Sequence, residues 1–306
     1  MNEESLKEIE LDADEHQSLL ALVRKVREEC PGQIQSRYLS RIAAHRRSLP
    51  TSATKEFWQN MTPVVLTNLP QFEDIEDSKI LLLALGETVG KCVGYSEYNQ
   101  SYITDIRPTL HSNEVSSGRD LLSMHSDLAF AEDDCRPAVL VLTPHIANDD
   151  APKTLVATAE EIATQLPVAV QEVLSEEIFE IRSGGKLRWP CEQVRRISVM
   201  DRDASGRLRV RLNFDSISPR QGLTAACRDM AQHALETIAE VALRIGRCKG
   251  HQLRKGQALL IPNDYCLHGR DIFEKEETDR LLLRSYVVTE QTVANQNGNT
   301  MLSLRT

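Results

Sequence analysis

Near residue 93 the sequence changes period. Before it, apolar residues recur at the 3.6-residue spacing of helices; after it, they come in short runs cut by Pro, Gly, Asn and Asp. Leu19, Leu20, Leu22, Val23 and Val26 mark a helix over 12–30. A second helix, about 36–49, carries Tyr38, Ile42 and Ala43 and stops at Pro50, because proline cannot continue it. Residues 55–61 add a turn in which Trp58 reads as core, and 77–89 are again helical through Ile80, Leu81, Leu82 and Leu85. Residues 63–70, an apolar run between prolines, read as a strand, so this first part is a helical layer with one or two strands. Downstream, strands are expected at 102–106, 121–130, 138–143 (ended by Pro144), 154–158, 178–181, 208–212, 257–261 and 280–289. Residues 159–174 form a helix split at Pro167, 213–219 a polar loop, 223–245 the longest helix, and 291–306 a frayed tail. Helices followed by many short strands with turn residues predict an α+β fold, a jelly roll (double-stranded β-helix) core with flanking helices. The chain reads as one domain over 1–306, with a mainly helical layer at 1–92, the core with inserted helices at 93–290 and the tail at 291–306.

Charge and cysteine usage narrow the class. The net charge of −9 argues against a nucleic-acid partner, which would need a clustered basic face. The seven cysteines are odd in number, scattered and without a C-x-x-C, so they read as free thiols of a reducing, cytoplasmic compartment. No signal peptide is legible at the start, and no apolar run reaches membrane length. Composition leaves the oligomeric state open.

Within the expected strand at 121–130 lies His125-Ser126-Asp127. Residues two apart on a strand share a face, so an imidazole and a carboxylate project together. With eight His and 45 acidic residues in the chain, about one His-x-Asp/Glu arises by chance, and a half-buried strand with a hydrogen-bonded His explains the pair alone. Later residues change the weighing. His268 follows a strand and a turn, with Gly269 beside it to remove a side chain next to a metal. A second His from a neighbouring strand would complete a 2-His-1-carboxylate set, the donor arrangement of non-haem Fe(II). Arg280 and Arg284 then share the face of the last strand with Leu282 and Tyr286. Two arginines on an apolar face are costly to bury unless anions meet them, and a guanidinium fork matches a carboxylate. Structural salt bridges are the bland account of the same pair. His16, His45, His111, His145 and His251 read as surface or capping residues, and His233 as structural.

The order His125-x-Asp127, then Thr154-Leu-Val-Ala-Thr158, then His268-Gly269-Arg270, then Asp279-Arg280-Leu-Leu-Leu-Arg284 resembles the Fe(II)/2-oxoglutarate dioxygenases, within them the clavaminate synthase-like group of asparagine oxygenase and the arginine β-hydroxylases, with taurine dioxygenase more distant. Tyr102-x-x-Asp105-Ile-x-Pro108 and Asp134-Cys-Arg136-Pro137 are similar too, so the likeness covers about 93–290. It implies Fe(II), 2-oxoglutarate and O₂ as cofactor and co-substrates. His125, Asp127 and His268 would ligate iron; Arg280 and Thr154 would hold the distal carboxylate of 2-oxoglutarate. Arg284 would face the substrate carboxylate, Glu97 its α-amine, Ser116 a polar group, and Asp215 would sit in a lid loop. The sequence departs from the group at Asp127, where many members have Glu, at Ser126 for Thr, and at Leu281 for an aromatic. The implied activity is hydroxylation of an unactivated sp³ carbon of a small-molecule substrate, a free amino acid, in specialised metabolism. Desaturation or cyclisation of a peptide-derived metabolite such as a cyclodipeptide is the alternative. Asp127 argues against halogenation, which needs the carboxylate position vacated. A non-catalytic metal-binding module or a zinc hydrolase would leave both arginines unexplained.

Overall fold

The computed structural model describes residues 6–32, 34–45, 49–50, 52–97, 100–108, 118–183, 193–274 and 279–304. In chain order its elements are β1 (Lys7–Glu10), α1 (Ala13–Glu29), α2 (Gln35–Ala44), α3 (Ser52–Asn60), β2 (Val64–Thr67), α4 (Ile75–Val89), β3 (Lys91–Tyr95), β4 (Ile103–Ile106), β5 (Leu122–His125), β6 (Val139–Ile146), β7 (Thr154–Thr158), α5 (Ala159–Gln165), α6 (Val168–Ser175), β8 (Phe179–Arg182), β9 (Val194–Ile197), β10 (Met200–Arg202), β11 (Leu208–Val210), β12 (Ile217–Pro219), α7 (Ala225–Lys249), β13 (Ala258–Pro262), β14 (Cys266–Arg270), β15 (Leu281–Val288), α8 (Glu290–Asn295) and β16 (Met301–Leu302). It is an α+β fold of mixed sheets flanked by helices.

An eight-stranded sheet runs β1-β2-β13-β6-β15-β3-β16, with β4 also on β15. Strand β15 is its axis: β6 pairs along one side, and β4 followed by β3 along the other. Alternation along β15 then separates two cores. Leu281, Leu283 and Val287 join α1, α2 and α4 in an apolar layer on one face. Leu282 and Tyr286 face the other way, where they meet Val156 of β7 and Cys266 of β14. Those two strands belong to a second sheet, β5-β14-β7. Its outer face, through Met124, Leu155, Ala157 and Leu267, packs on α7 together with Leu174 of α6 and Ile162 of α5. The order of layers is therefore helices, large sheet, small sheet, helices, with polar groups buried between the sheets.

Local rules place the helices. Asp12 and Glu15 form a reciprocal capping box that starts α1, the Glu15 amide donating to Asp12 Oδ1 at 2.8 Å. Thr158 and Glu161 do the same for α5. No described helix is long and apolar enough to cross a membrane.

Three expectations need correction. Strand β6 runs through Pro144 to Ile146, because Pro144 sits at a register shift against Leu281 and Leu282, where a missing N–H is tolerated. The polar loop at 213–219 ends in β12, which pairs with β8. Finally, 291–304 are not frayed. They form α8 and then β16, which lies parallel to β3, with the Gly94 amide donating to Thr300 O at 3.0 Å and the Ser96 amide to Leu302 O at 2.9 Å.

Glu97 anchors that tail. The Ser303 hydroxyl donates to one carboxylate oxygen at 2.7 Å and the Leu304 amide to the other at 3.1 Å. Burial would raise the carboxyl pKa, but the donors from Leu304 and Ser303 outweigh it and hold it below its usual value. A depressed carboxyl stabilises fully above its unfolded pKa and loses that contribution as pH falls through the folded one. The tail is therefore expected to loosen below about pH 4, the ordinary carboxylate range. At neutral pH, Glu97→Ala is expected to cost about 1–3 kcal/mol and to speed exchange of the Ser96 and Leu304 amides, as read by hydrogen exchange.

Candidate metal centre

The small sheet brings the two candidate histidines together. His125 ends β5, His268 is in β14, and they are directly opposite in the antiparallel register. Their ring centroids are 4.4 Å apart at a 47° tilt. Opposed residues of a pair project to one face, here the face toward the large sheet. The ladder shifts register between His268 and Arg270, and Gly269 lies at the shift. A Cβ on Gly269 would stand 2.6 Å from Leu122 O and 3.1 Å from Met124 Sδ. The space that glycine leaves open is thus on the Met124 side of the sheet. It permits close strand approach, and Gly269 itself lines the cleft that His125 and His268 share.

Asp127 arrives differently from the expectation. Strand β5 ends at His125, and Asp127 begins a turn in which Leu128 has φ +50°. The turn, rather than strand alternation, aims the carboxylate between the rings. Asp127 Oδ1 lies 3.4 Å from His125 Nε2, and Oδ2 lies 3.6 Å from His268 Nε2. One donor atom from each of the three residues falls within 4.8 Å of the others. Donors at neighbouring corners of an ion, each about 2.1 Å from it, are roughly 3 Å apart, so small inward rotations complete a site.

Protonation suits the same purpose. His125 Nδ1 is 2.7 Å from Ser123 O; a carbonyl only accepts, so Nδ1 carries the proton and Nε2 offers its lone pair. Burial lowers the pKa of His268, and His125 beside it lowers it further, so that ring stays neutral. For Asp127, burial raises the pKa, but Arg284 foremost and then the two imidazoles hold it well below the usual carboxylate range. His125 is shifted the other way: burial lowers its pKa, but the hydrogen bond and charge of Asp127 outweigh burial and raise it. Two neutral-capable imidazoles and an ionised carboxylate, Asp127 and His268 buried and His125 partly so, fit a divalent ion with open positions.

A small cleft adjoins this cluster. Thr154, Arg270, Arg280 and Arg284 line it together with His125, His268 and the apolar Ile106, Leu122, Leu140, Leu142 and Leu282. Thr154 is directly across the ladder from Arg270. Arg280 is 6% exposed and has no acidic partner among the described residues. Burial, with Arg270 nearby, brings its pKa down to about 9. Arg284 Nη1 donates to Asp127 Oδ2 at 3.2 Å, and its guanidinium lies 4.8 Å from the centre of the Tyr286 ring.

Other expected residues lie farther out. Glu97 bonds the tail and is not among the lining residues of this cavity. Asp215 is exposed in a turn two residues beyond Asn213, which bridges to His125. Ser116 and His111 lie outside the described residues. Of the other histidines, His145 accepts or donates to Ser78 Oγ at 2.9 Å and His251 meets Gln257 at 3.1 Å, while His233 is exposed on α7. Two residues went unrecognised in the sequence. Arg270 lines the cavity, and its only sequence signal was its place in the His-Gly-Arg run. Asn263 is fully buried behind Asp127, and a turn asparagine gives no sign of that.

Comparison with known proteins agrees with this geometry. A family model described as "Taurine catabolism dioxygenase TauD, TfdA family" matches residues 27–286. No curated protein matches the sequence. Among solved structures, asparagine oxygenase in complex with Fe(II), hydroxyasparagine and succinate superposes with a TM-score of 0.81 at 18% identity, covering 97% of this chain and 99% of that one. The non-heme iron oxygenase OrfP in complex with Fe, succinate and (3S)-hydroxy-L-Arg gives 0.74 at 18% identity, covering 96% and 99%. At such identities the likeness is one of fold.

Gly269→Ala is expected to force the β5–β14 ladder apart and to destabilise the protein by about 1–3 kcal/mol, the usual cost of overpacking, as measured by urea unfolding.

Proposed function

Since the chain belongs to the TauD, TfdA dioxygenase family, we propose that it is an Fe(II)- and 2-oxoglutarate-dependent oxygenase that hydroxylates an sp³ carbon of a free amino acid. The single observation that carries the reading is the convergence of His125, Asp127 and His268 beside a cavity holding buried arginines. In this reading the two facing sheets are a double-stranded β-helix, and the three residues hold iron. When bound, Fe(II) with 2-oxoglutarate supplies O₂-driven oxidation, in which the keto acid is decarboxylated to succinate and CO₂ while the substrate carbon is oxidised.

The protein's part is orientation. Arg280 binds the distal carboxylate of 2-oxoglutarate as a bidentate partner, and Thr154 adds a hydroxyl. Arg270, opposite Thr154, adds a second positive charge at that end of the cavity. The placement answers the otherwise unmet charge of Arg280, since a guanidinium in a dry site requires an anion. Arg284 sits at the other end, beside Asp127, where it meets a substrate carboxylate. The apolar lining keeps water from the reacting carbon. The likeness in fold to asparagine oxygenase and to OrfP supports an amino acid as substrate. One observation favours a neutral substrate such as a cyclic dipeptide: Glu97, assigned by resemblance to the α-amine, already bonds Ser303 and Leu304. Neither Ser116 nor Asp215 adds support to either class.

Succinate release over a panel of amino acids and cyclic dipeptides tests the reading. His125→Ala, Asp127→Ala and His268→Ala are each expected to abolish Fe(II)-dependent release while circular dichroism stays unchanged. In the same assay Arg280→Ala should raise the 2-oxoglutarate KM by orders of magnitude, because losing one partner of a buried charge pair costs roughly 2–5 kcal/mol. A KM within a few-fold of wild type moves that role elsewhere.

Arg284→Ala separates the two ends of the cavity. It is expected to spare the slow decarboxylation of 2-oxoglutarate that proceeds without substrate and to weaken the stimulated rate. Equal loss of both rates would assign Arg284 to the co-substrate or to the frame. A preference for the cyclic dipeptide over the free amino acid would replace the substrate class and leave the oxygenase reading intact.

A further inference from the structure

Asp127 is the one member of the triad outside a sheet, so something else must fix its carboxylate. Leu128, directly after it, has a positive φ, which a non-glycine residue holds only when its surroundings over-determine it. The surroundings are specific. Asn263 is 0% exposed and lies in the corner between β13 and β14, five residues before His268. Its side-chain oxygen accepts the Asp127 amide at 2.8 Å. Its side-chain nitrogen donates to Asp127 O at 3.0 Å and to Pro137 O at 3.0 Å. Its own amide donates to Ala138 O at 2.9 Å. One residue therefore ties both ends of the 127–137 excursion to the corner that delivers His268. Arg211 adds bonds to Ala129 O and Ala131 O farther along the same excursion.

We infer that Asn263 is a positioning residue for the metal carboxylate: it sets the Asp127 backbone, and through it the direction of the side chain, relative to His268. The inference rests on the metal reading of His125, Asp127 and His268. The amide is chemically suited to the task because it alone among the small polar side chains presents one acceptor and two donors in a plane. Here all three are used, on a backbone amide and two carbonyls. Aspartate keeps the acceptor and loses both donors; alanine loses all three. Partners behind a ligand typically change metal affinity by roughly 10–100-fold when removed.

Co(II) alone is the probe, titrated into the metal-free protein and followed by visible absorption and calorimetry. Wild type, Asn263→Ala, Asn263→Asp and a control, Ile42→Ala, are compared at a temperature where each is folded by circular dichroism. Ile42 is buried on the far face of the large sheet, so its variant loses stability without touching the turn. Asn263→Ala is expected to weaken Co(II) binding roughly 10–100-fold and Asn263→Asp, which sets a buried carboxylate oxygen against two carbonyls, at least as much, while Ile42→Ala stays within two-fold of wild type. If Asn263→Ala does not fold, the Asp variant carries the comparison. Wild-type binding with unchanged affinity in the folded Asn263 variants, or an equal loss in Ile42→Ala, overturns the inference and leaves the metal reading standing. Absence of Co(II) binding by wild type overturns the metal reading, and the inference with it.

Discussion

A carboxylate taken out of water must be met by positive charge, or it takes up a proton and ceases to be a strong ligand. Asp127 is 8% exposed and is met by Arg284 from the large sheet and by two imidazoles from the small one. The same contact spans the two sheets, because Arg284 belongs to β15 and His268 to β14. Electrostatics and architecture are thus coupled: the sheets are drawn together over an ionised group that each helps to keep ionised. The arrangement also explains why β15 is buried throughout. A central strand with partners on both sides holds its guanidinium at a fixed height above the imidazoles, whereas an edge strand would let it swing.

Polar residues within the space between the sheets divide by end. Near Asp127, opposite charges pair. Near Thr154, the cations Arg270 and Arg280 meet without an acid on Arg280. A cavity that is charge-balanced at one end and positive at the other favours a ligand with an anionic tail, and gives it a direction.

Much of this was legible from periodicity. The alternation on β15 that turns Leu282, Arg284 and Tyr286 one way and Leu281, Leu283 and Val287 the other follows from the strand period alone, and the two cores follow from it. The short strands β1, β9, β10 and β12 were not legible, because three or four half-exposed residues carry too little apolar pattern. The strand through Pro144 was hidden by a rule that holds inside regular ladders and lapses at a bulge. At the site, residue identity gave the donors, but the reason Asp127 reaches them was misread: a turn does what strand alternation was expected to do. Asn263 was invisible, since nothing in a Pro-Asn-Asp turn announces three buried hydrogen bonds. Glu97 was visible but its partner was not, because the tail that bonds it lies more than two hundred residues away in the chain.

The outermost strands of the large sheet, β1 and β16, are both short and both lie parallel to their neighbours. Strand β1 reads Lys-Glu-Ile-Glu, so one rim of the sheet is charged. Behind it stands β2, Val64-Val65-Leu66-Thr67, almost wholly buried. The rim is therefore a guard against self-association: charged side chains on an edge repel an incoming strand, whereas an apolar edge would template one. A fragment beginning after residue 12 would keep every residue of the metal cluster and still present β2 as a sticky border, so its first failure would be precipitation rather than loss of chemistry.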